Sequence, residues 1–503
     1  MNTSTAALAV FLCAFSVTKC GKEDRVSNSK TSGLSAQSAN QSHKSIPKHL
    51  SFGSNPEIKS TSVSENTSFA EPLTFAFQTN LDCENASSNW IQIVDTETKH
   101  EVPGRILCEK NSLTFIPQMQ MLWEVTTLQA KVVTSWIGLH PSGKYEASFS
   151  PHLGSTNTIP FSMTNLDFGT YWFNENGLGE RRFENIPSPF VKSDAPTVVF
   201  FHGQQPGATA ANIWRGNPFL KSFANETPEN LLPLWKNKGY NIGIFFWEQF
   251  SDEQNPRHIE FKLWEKPNKD SPGIRFLTKD NKEEYLKTDQ KLSDVLCNNY
   301  DSAIRDITAP TFRIVAHSAG TQLALHCIER HRESTQNLPD RLVLLDPYWS
   351  KSNKNYGDFV WTGSFSEEKL KWILKTKNVA VEQYKTSLLG GMIGDENLAF
   401  RKYTAFGRVW ASFIPRYAFA VHHNYAIAWY FESMAHPLPV EATRGSGVPT
   451  RYLGAAATNE QIQALMNTPD SEKLHFFSTI GKGVLTSSSS DDTFQEHPGV
   501  STW

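Results

Sequence analysis

The apolar positions of this chain follow two different rhythms. Between residues 66 and 152 they recur at every second position, as in Leu73-Thr-Phe-Ala-Phe77, Trp90-Ile-Gln-Ile-Val94, Leu113-Thr-Phe-Ile116 and the run Val125–Val133. Asn80, Asp82, Pro103-Gly104, Asn111 and Pro141-Ser142-Gly143 punctuate these runs. Alternation puts every second side chain on a buried face, so the segment is expected to form short strands packed as an all-β sandwich with a core of its own. From Thr197 the rhythm changes. Unbroken apolar runs occur at Thr197–Phe201, Tyr240–Trp247, Phe312–Val315, Arg341–Leu345 and Asn378–Tyr384, the mark of strands buried on both faces. Thr321–Arg330 reads as a helix, and so does the stretch from Tyr425, where Ile427, Tyr430, Phe431 and Met434 recur at helical spacing. Strands alternating with helices predict a mostly parallel sheet flanked by helices, over residues 153–481. Residues 153 to 195 join the two parts and are expected to supply the first strands of that sheet.

The chain ends follow neither rhythm. Ala6 to Val17 is an apolar core too short to span a bilayer comfortably, and residues 1–19 read as a signal peptide. Residues 20–65 are rich in Ser, Lys and Asn and cannot bury a core, so they are expected to be a disordered tether. Val17-Thr18-Lys19-Cys20-Gly21 resembles a bacterial lipobox, although Lys19 is not small. Cys20 is therefore a candidate for lipidation, which would attach the protein to a membrane. Thr486-Ser-Ser-Ser-Ser-Asp-Asp492 places residues 482–503 in a disordered tail.

Composition narrows the function classes. The 503 residues allow two or three domains, and the net charge of −3 gives no basic excess for nucleic acid. No internal apolar run reaches the eighteen or so residues of a membrane span. Six cysteines are present, one of them (Cys13) in the signal. Cys83 with Cys108 and Cys297 with Cys327 would make two disulfides, and a modified Cys20 would account for the fifth. The alternative leaves Cys297 and Cys327 as buried thiols.

Candidate chemistry gathers at strand ends. Ile314-Val315-Ala316-His317-Ser318-Ala319-Gly320 runs from an apolar strand into a helix through small residues. A sharp strand-to-helix turn of this kind lifts a serine Oγ out of the sheet, although Ser-Ala-Gly also begins ordinary helices. Upstream, Thr197–Phe201 ends in His202-Gly203-Gln204. Downstream, Arg341–Leu345 ends in Asp346-Pro347, and His422-His423 stand just before the helix that starts at Tyr425. Adjacent histidines also raise a metal reading, but no partner sits at metal-ligand spacing. Asp346 in isolation could be a turn former; Asp395 is a second candidate acid.

The order Ser318, Asp346, His423 is that of α/β-hydrolase triads. Asp346 lies only twenty-eight positions after the serine (346 − 318), in a Leu-Asp-Pro strand end. Residues 195 to 436 thereby resemble the pancreatic-type lipases. His423, followed by Tyr430 and Ser433, fits that family's histidine register better than His422 does. Ala316 stands where the family has glycine, the segment 249–310 is long, and the family's dense cysteine pattern is missing. The segment 66–152 resembles bacterial immunoglobulin-like modules of exported proteins. The resemblance implies an α/β hydrolase behind an N-terminal all-β Ig-like sandwich, acting as a secreted or cell-envelope serine ester hydrolase. Ser318 would be the nucleophile, His423 the base and Asp346 the acid, with the Gln204 and Ala319 N–H groups as oxyanion hole and no metal or organic cofactor. A lipid or other acyl ester is the expected partner. Thioesters, acetylated sugars, peptides, or a non-catalytic binding role on the same scaffold remain open. Gln249–Gln290 and Leu388–Gly394 are expected to cover the site, or else to be ordinary buried segments.

Overall fold

In the computed structural model the described residues are 58–62, 71–121, 126–128, 131–133, 136–150, 153, 158–183, 186–210, 215–223, 227–309, 311–330, 338–351, 361–395, 398–441, 449–467 and 474–500. The signal peptide, Cys20 and most of the tether lie outside them; within the tether expected to be disordered over 20–65, Ile58–Thr61 is instead a strand paired antiparallel with residues 75–77.

Strand alternation builds the N-terminal β region. Strands β1 (Leu73–Phe77), β2 (Ile91–Asp95), β3 (Gly104–Glu109), β4 (Ser112–Met121), β5 (Lys144–Phe149) and β6 (Ile159–Ser162) form two layers. In one layer β4 pairs antiparallel with both β1 and β3. In the other β5 pairs with β2 and β6. Their buried positions meet between the layers, where Phe149 stands edge-on to Phe75 and Phe77 at 5.0 and 5.9 Å. Cys83 and Cys108 are joined in a disulfide. The run expected as one strand over 125–133 holds two short strands, Thr126–Leu128 and Lys131–Val133, paired with each other.

The larger sheet is mostly parallel. Strands β7 (Gly169–Phe173) and β8 (Leu178–Arg181) form a hairpin. They are followed by β9 (Thr197–Phe201), β10 (Asn241–Phe246), β11 (Phe312–His317), β12 (Arg341–Leu345), β13 (Ala380–Lys385) and β14 (Ala405–Arg408). The last are β15 (Leu438–Glu441), β16 (His475–Ile480) and β17 (Thr493–Pro498). Across the sheet the order is β7-β10-β9-β11-β12-β13-β14-β16-β17-β15, parallel from β10 to β16.

Successive residues of a strand face opposite sides, so Val198 and Phe200 enter one core and Val199 and Phe201 the other. Helices α1 (Pro256–Trp264), α2 (Leu292–Ile304), α3 (Gly320–Glu329) and α4 (Thr362–Thr376) bury apolar residues in the second core. Helices α5 (Phe419–Glu432) and α6 (Asn459–Leu465) do so in the first. Cys297 of α2 and Cys327 of α3 form a disulfide, so they are not free thiols. The two disulfides fit an oxidising compartment. Among the described residues no helix is long and apolar enough to cross a membrane.

Two expected boundaries move. Strand β4 does not stop at the sandwich: Gln118 to Gln120 pair antiparallel with Leu178 to Glu180 of β8. Beside that junction Arg105 of β3 grips the buried Glu180 through two bonds of 2.9 Å, and Gln118 Nε2 donates to it at 3.0 Å. Backbone pairing therefore runs across the division expected at 152/153. The tail expected to be disordered over 482–503 is folded through residue 500, with β17 paired along its length to β16. Its serine run is held because Asp492 is buried, accepting from Trp429 Nε1 at 2.6 Å, while Glu432 accepts from Ser488 and Ser489.

Candidate functional site

The candidate residues converge on the carboxyl edge of the parallel strands, where strand-to-helix turns leave side chains free of the sheet ladder. Ser318 follows β11 directly and has φ 54°, a left-handed backbone rare for a residue with a side chain. Its N–H donates to Leu345 O at 3.0 Å, which ties it to the end of β12, one residue before Asp346. Asp346 is also left-handed, at φ 39°. Two non-glycine residues in this region on adjacent strand ends are the kind of local strain that collects at functional sites.

Asp346 is the acid that meets the histidine. His423 Nδ1 lies 2.7 Å from Asp346 Oδ2. The same oxygen accepts the hydroxyls of Ser387 and, at 3.4 Å, Thr386, the two residues that follow β13. Asp395 sits elsewhere, its N–H donating to Trp349 O at 2.7 Å. The sequence pattern places the histidine in a loop before its helix. It is instead inside α5, whose first turn begins at Phe419. The neighbouring histidines diverge, as successive helix positions must: His422 is buried and stacks on Trp410 at 4.6 Å, while His423 turns to Asp346.

His317 also belongs to the site. Its ring lies 4.4 Å from that of His423, and its Nε2 is 3.1 Å from the His423 carbonyl, so it donates there. Burial, and then the neighbouring His423, hold its pKa well below the ordinary histidine value. A neutral His317 adds no charge against an imidazolium at His423.

The His-Gly strand end packs directly on the serine. A Cβ on Gly203 would stand 2.5 Å from Ser318 Cβ and 3.0 Å from Ser318 Oγ, so only glycine fits. The ring of His202 is fixed by chemistry. Trp247 N–H donates to its Nε2 at 3.1 Å, so the ring proton is on Nδ1 and donates to Gly203 O at 2.8 Å. In a trans peptide the Gly203 carbonyl and the Gln204 N–H point in opposite directions. Holding the carbonyl against His202 thus turns the Gln204 N–H away from that ring. Beneath lies a buried charge cluster. Arg215 Nε donates to Glu248 Oε1 at 2.5 Å and Arg215 Nη2 to Asp167. Burial alone would raise the Glu248 pKa, but Arg215 holds it below the usual carboxylate value.

Residues before Trp361 on the Asp346 side are described only to 351. Of the two expected covers, Gln249–Gln290 contributes Ile259, Leu263 and Trp264 to the core, and Glu260 accepts from Ser350 and Thr362. Leu388–Gly394 holds the short helix Leu389–Ile393, with Leu389 buried and Met392 exposed.

Thr386, Ser387 and His317 were not singled out from the sequence. The available signal was position: two hydroxyl residues immediately after a buried parallel strand, and a histidine next to a candidate nucleophile.

No family model matches the chain, and no curated protein matches it. Among solved structures, fungal esterases from Rhizomucor miehei are similar over 42% of this chain and 55% of theirs, at 16% identity and a TM-score of 0.16. An LD transpeptidase in complex with imipenem is similar over 24% of this chain and 43% of its own, at 13% identity and a TM-score of 0.15. The chain spans about half the length of either.

Proposed function

We propose that this chain is an exported serine hydrolase that cleaves carboxylic esters through an acyl-enzyme, on an α/β-hydrolase fold preceded by an Ig-like sandwich. The observation that carries the reading is Ser318 in left-handed conformation between β11 and α3, beside the hydrogen-bonded pair Asp346–His423. In this reading His423 accepts the Ser318 proton through Nε2 as Oγ attacks an acyl carbonyl. Asp346, on Nδ1, keeps the proton there and stabilises the imidazolium. The Gln204 and Ala319 N–H groups stabilise the oxyanion, helped by the start of α3. His423 then returns the proton to the leaving alcohol. A water, activated by the same imidazole, attacks the ester on Ser318 and releases the acid.

A fluorophosphonate probe tests the reading. It should label the wild-type protein at Ser318 and fail to label Ser318→Ala, which also loses ester hydrolysis by roughly a millionfold in turnover. Labelling that persists in Ser318→Ala overturns the assignment. A series of p-nitrophenyl esters of increasing acyl length then sorts esterase from lipase, and thioester, acetyl-sugar and peptide substrates are compared alongside.

A further inference from the structure

The loop that carries the Gln204 N–H belongs to no strand or helix, yet it is fastened along its length to one three-residue segment. Gln204 Nε2 donates to Glu253 O, and Gln205 N–H donates to Ser251 O at 3.2 Å. Gly207 N–H donates to Asp252 Oδ1 at 2.6 Å, and Thr209 N–H to Asp252 Oδ2 at 2.9 Å. The Thr209 hydroxyl donates to that same oxygen. The loop is stiff within itself too. Ala208 N–H donates to Gln205 O at 3.1 Å, closing a turn with Pro206 second and Gly207 third at φ 80°. Proline followed by a left-handed glycine is the signature of a type II turn.

Asp252 is buried, and its two oxygens are taken up by three donors of the loop. Such a carboxylate is not placed to move protons at Ser318. What it does is fix where residues 204 to 209 can be. That position has a chemical consequence, because Gly203 already touches Ser318 with no space to spare. A loop free to shift would carry the 203–204 peptide with it, and an oxyanion donor must be held within about 0.5 Å of its productive place.

We infer that Asp252 is a positioning residue that preorganises the Gln204 oxyanion donor before substrate arrives. The inference rests on the acyl-transfer reading above. It predicts an effect on the tetrahedral state rather than on ground-state binding. Asparagine at position 252 keeps the shape but replaces one acceptor with a donor, which must face either the Gly207 N–H or the Thr209 groups. Asp252→Asn should therefore lower turnover by about 10–100-fold, within the roughly 10²–10³ that loss of a whole donor costs. The KM for a soluble p-nitrophenyl ester should stay near wild type. Affinity for a boronic acid, whose adduct on serine mimics the tetrahedral intermediate, should fall in parallel with kcat/KM. Thr209→Val removes one hydroxyl donor at nearly constant volume and should give a smaller loss of the same kind.

The experiment first confirms by circular dichroism that each variant is folded, then measures kcat, KM and the boronic acid inhibition constant. Parallel losses of kcat and boronic acid affinity support the inference. Wild-type kcat and boronic acid affinity in folded Asp252→Asn overturn it, and so does a loss confined to KM. If Asp252→Asn does not fold, Thr209→Val decides by the same two readouts. A wild-type protein that fluorophosphonate does not label at Ser318 fails the acyl-transfer reading itself; labelled wild type with an unaffected Asp252→Asn fails this inference alone.

Discussion

Gly320 lies against the carbonyl of His202 with no room for a side chain: a Cβ there would stand 2.3 Å from His202 O and 2.7 Å from Phe201 O. The first turn of α3 is thus pressed onto the end of β9, and the two backbone segments offered as oxyanion donors are held together by the absence of one methyl group. Gly320→Ala must push them apart. We expect destabilisation of about 1–3 kcal/mol, as for other overpacked sites. Turnover should fall beyond what that loss of folded protein explains. Thermal melting and active-site titration separate the two effects.

Asp346→Asn should lower turnover by roughly ten-thousand-fold, since an amide opposite Nδ1 favours the wrong histidine tautomer. Asp395→Asn should leave turnover close to wild type. Ser387→Ala removes a hydroxyl from a charged acceptor, a bond of about 1.5–3 kcal/mol, and should cost turnover by on the order of tenfold. Steady-state kinetics on one soluble ester ranks the three variants. A larger loss in Asp395→Asn than in Asp346→Asn would refute the assignment of the acid.

A chain starting at Leu153 would lack both Arg105 and Gln118, so Glu180 would lose the hydrogen bonds those groups give it in the intact protein. It would also lose the β4 partner of β8. An unpaired strand edge is a template for pairing with another chain. The truncated chain should be insoluble or melt well below the full protein. A truncated protein with an unchanged melting temperature would show that the sandwich contributes nothing to the larger sheet.

Burial, with Asp491 and Glu432 nearby, pushes the Asp492 pKa from 3.8 up to about 7 despite the hydrogen bond from Trp429. A carboxyl raised in the folded state binds its proton there more tightly than when unfolded. Its contribution is fully present below the unfolded pKa and is lost as pH rises through the folded one. Asp492→Asn keeps an acceptor for Trp429 and removes the ionisation. The variant should match wild type at about pH 4 or below, gain stability as pH rises toward 7, and hold a gain on the order of 2–4 kcal/mol above that. Denaturation midpoints across that pH range check the sign.

The disulfide Cys297–Cys327 closes a sequence separation of 30 residues that includes β11 and the serine. Loop-closure entropy gives about 3.5 kcal/mol for a span of this length. Replacing both cysteines by serine should lower the melting temperature and leave ester turnover at low temperature nearly intact, because the bond joins the facing sides of α2 and α3 within the second core.

Much of this was legible in the chain itself. Thr197–Phe201 and Arg341–Leu345 have the strand bounds their apolar runs suggest, because Val198–Phe201 and Leu342–Leu345 are apolar at every position, as burial on both faces favours. Small residues around Ser318 announced the turn, because a left-handed serine needs neighbours that give it space. What the chain could not show is who pairs with whom across distance. The choice of Asp346 over Asp395 depends on which strand end faces α5. The support from Ser387 and Thr386 comes from a strand about forty residues further on. The reach of β4 into the larger sheet depends on a partner some sixty residues away, and the folded tail on burial of Asp492 against Trp429. Local periodicity reports how often a residue is buried. Only the tertiary structure decides what it is buried against, because those contacts are set by the packing of whole elements rather than by their own sequence.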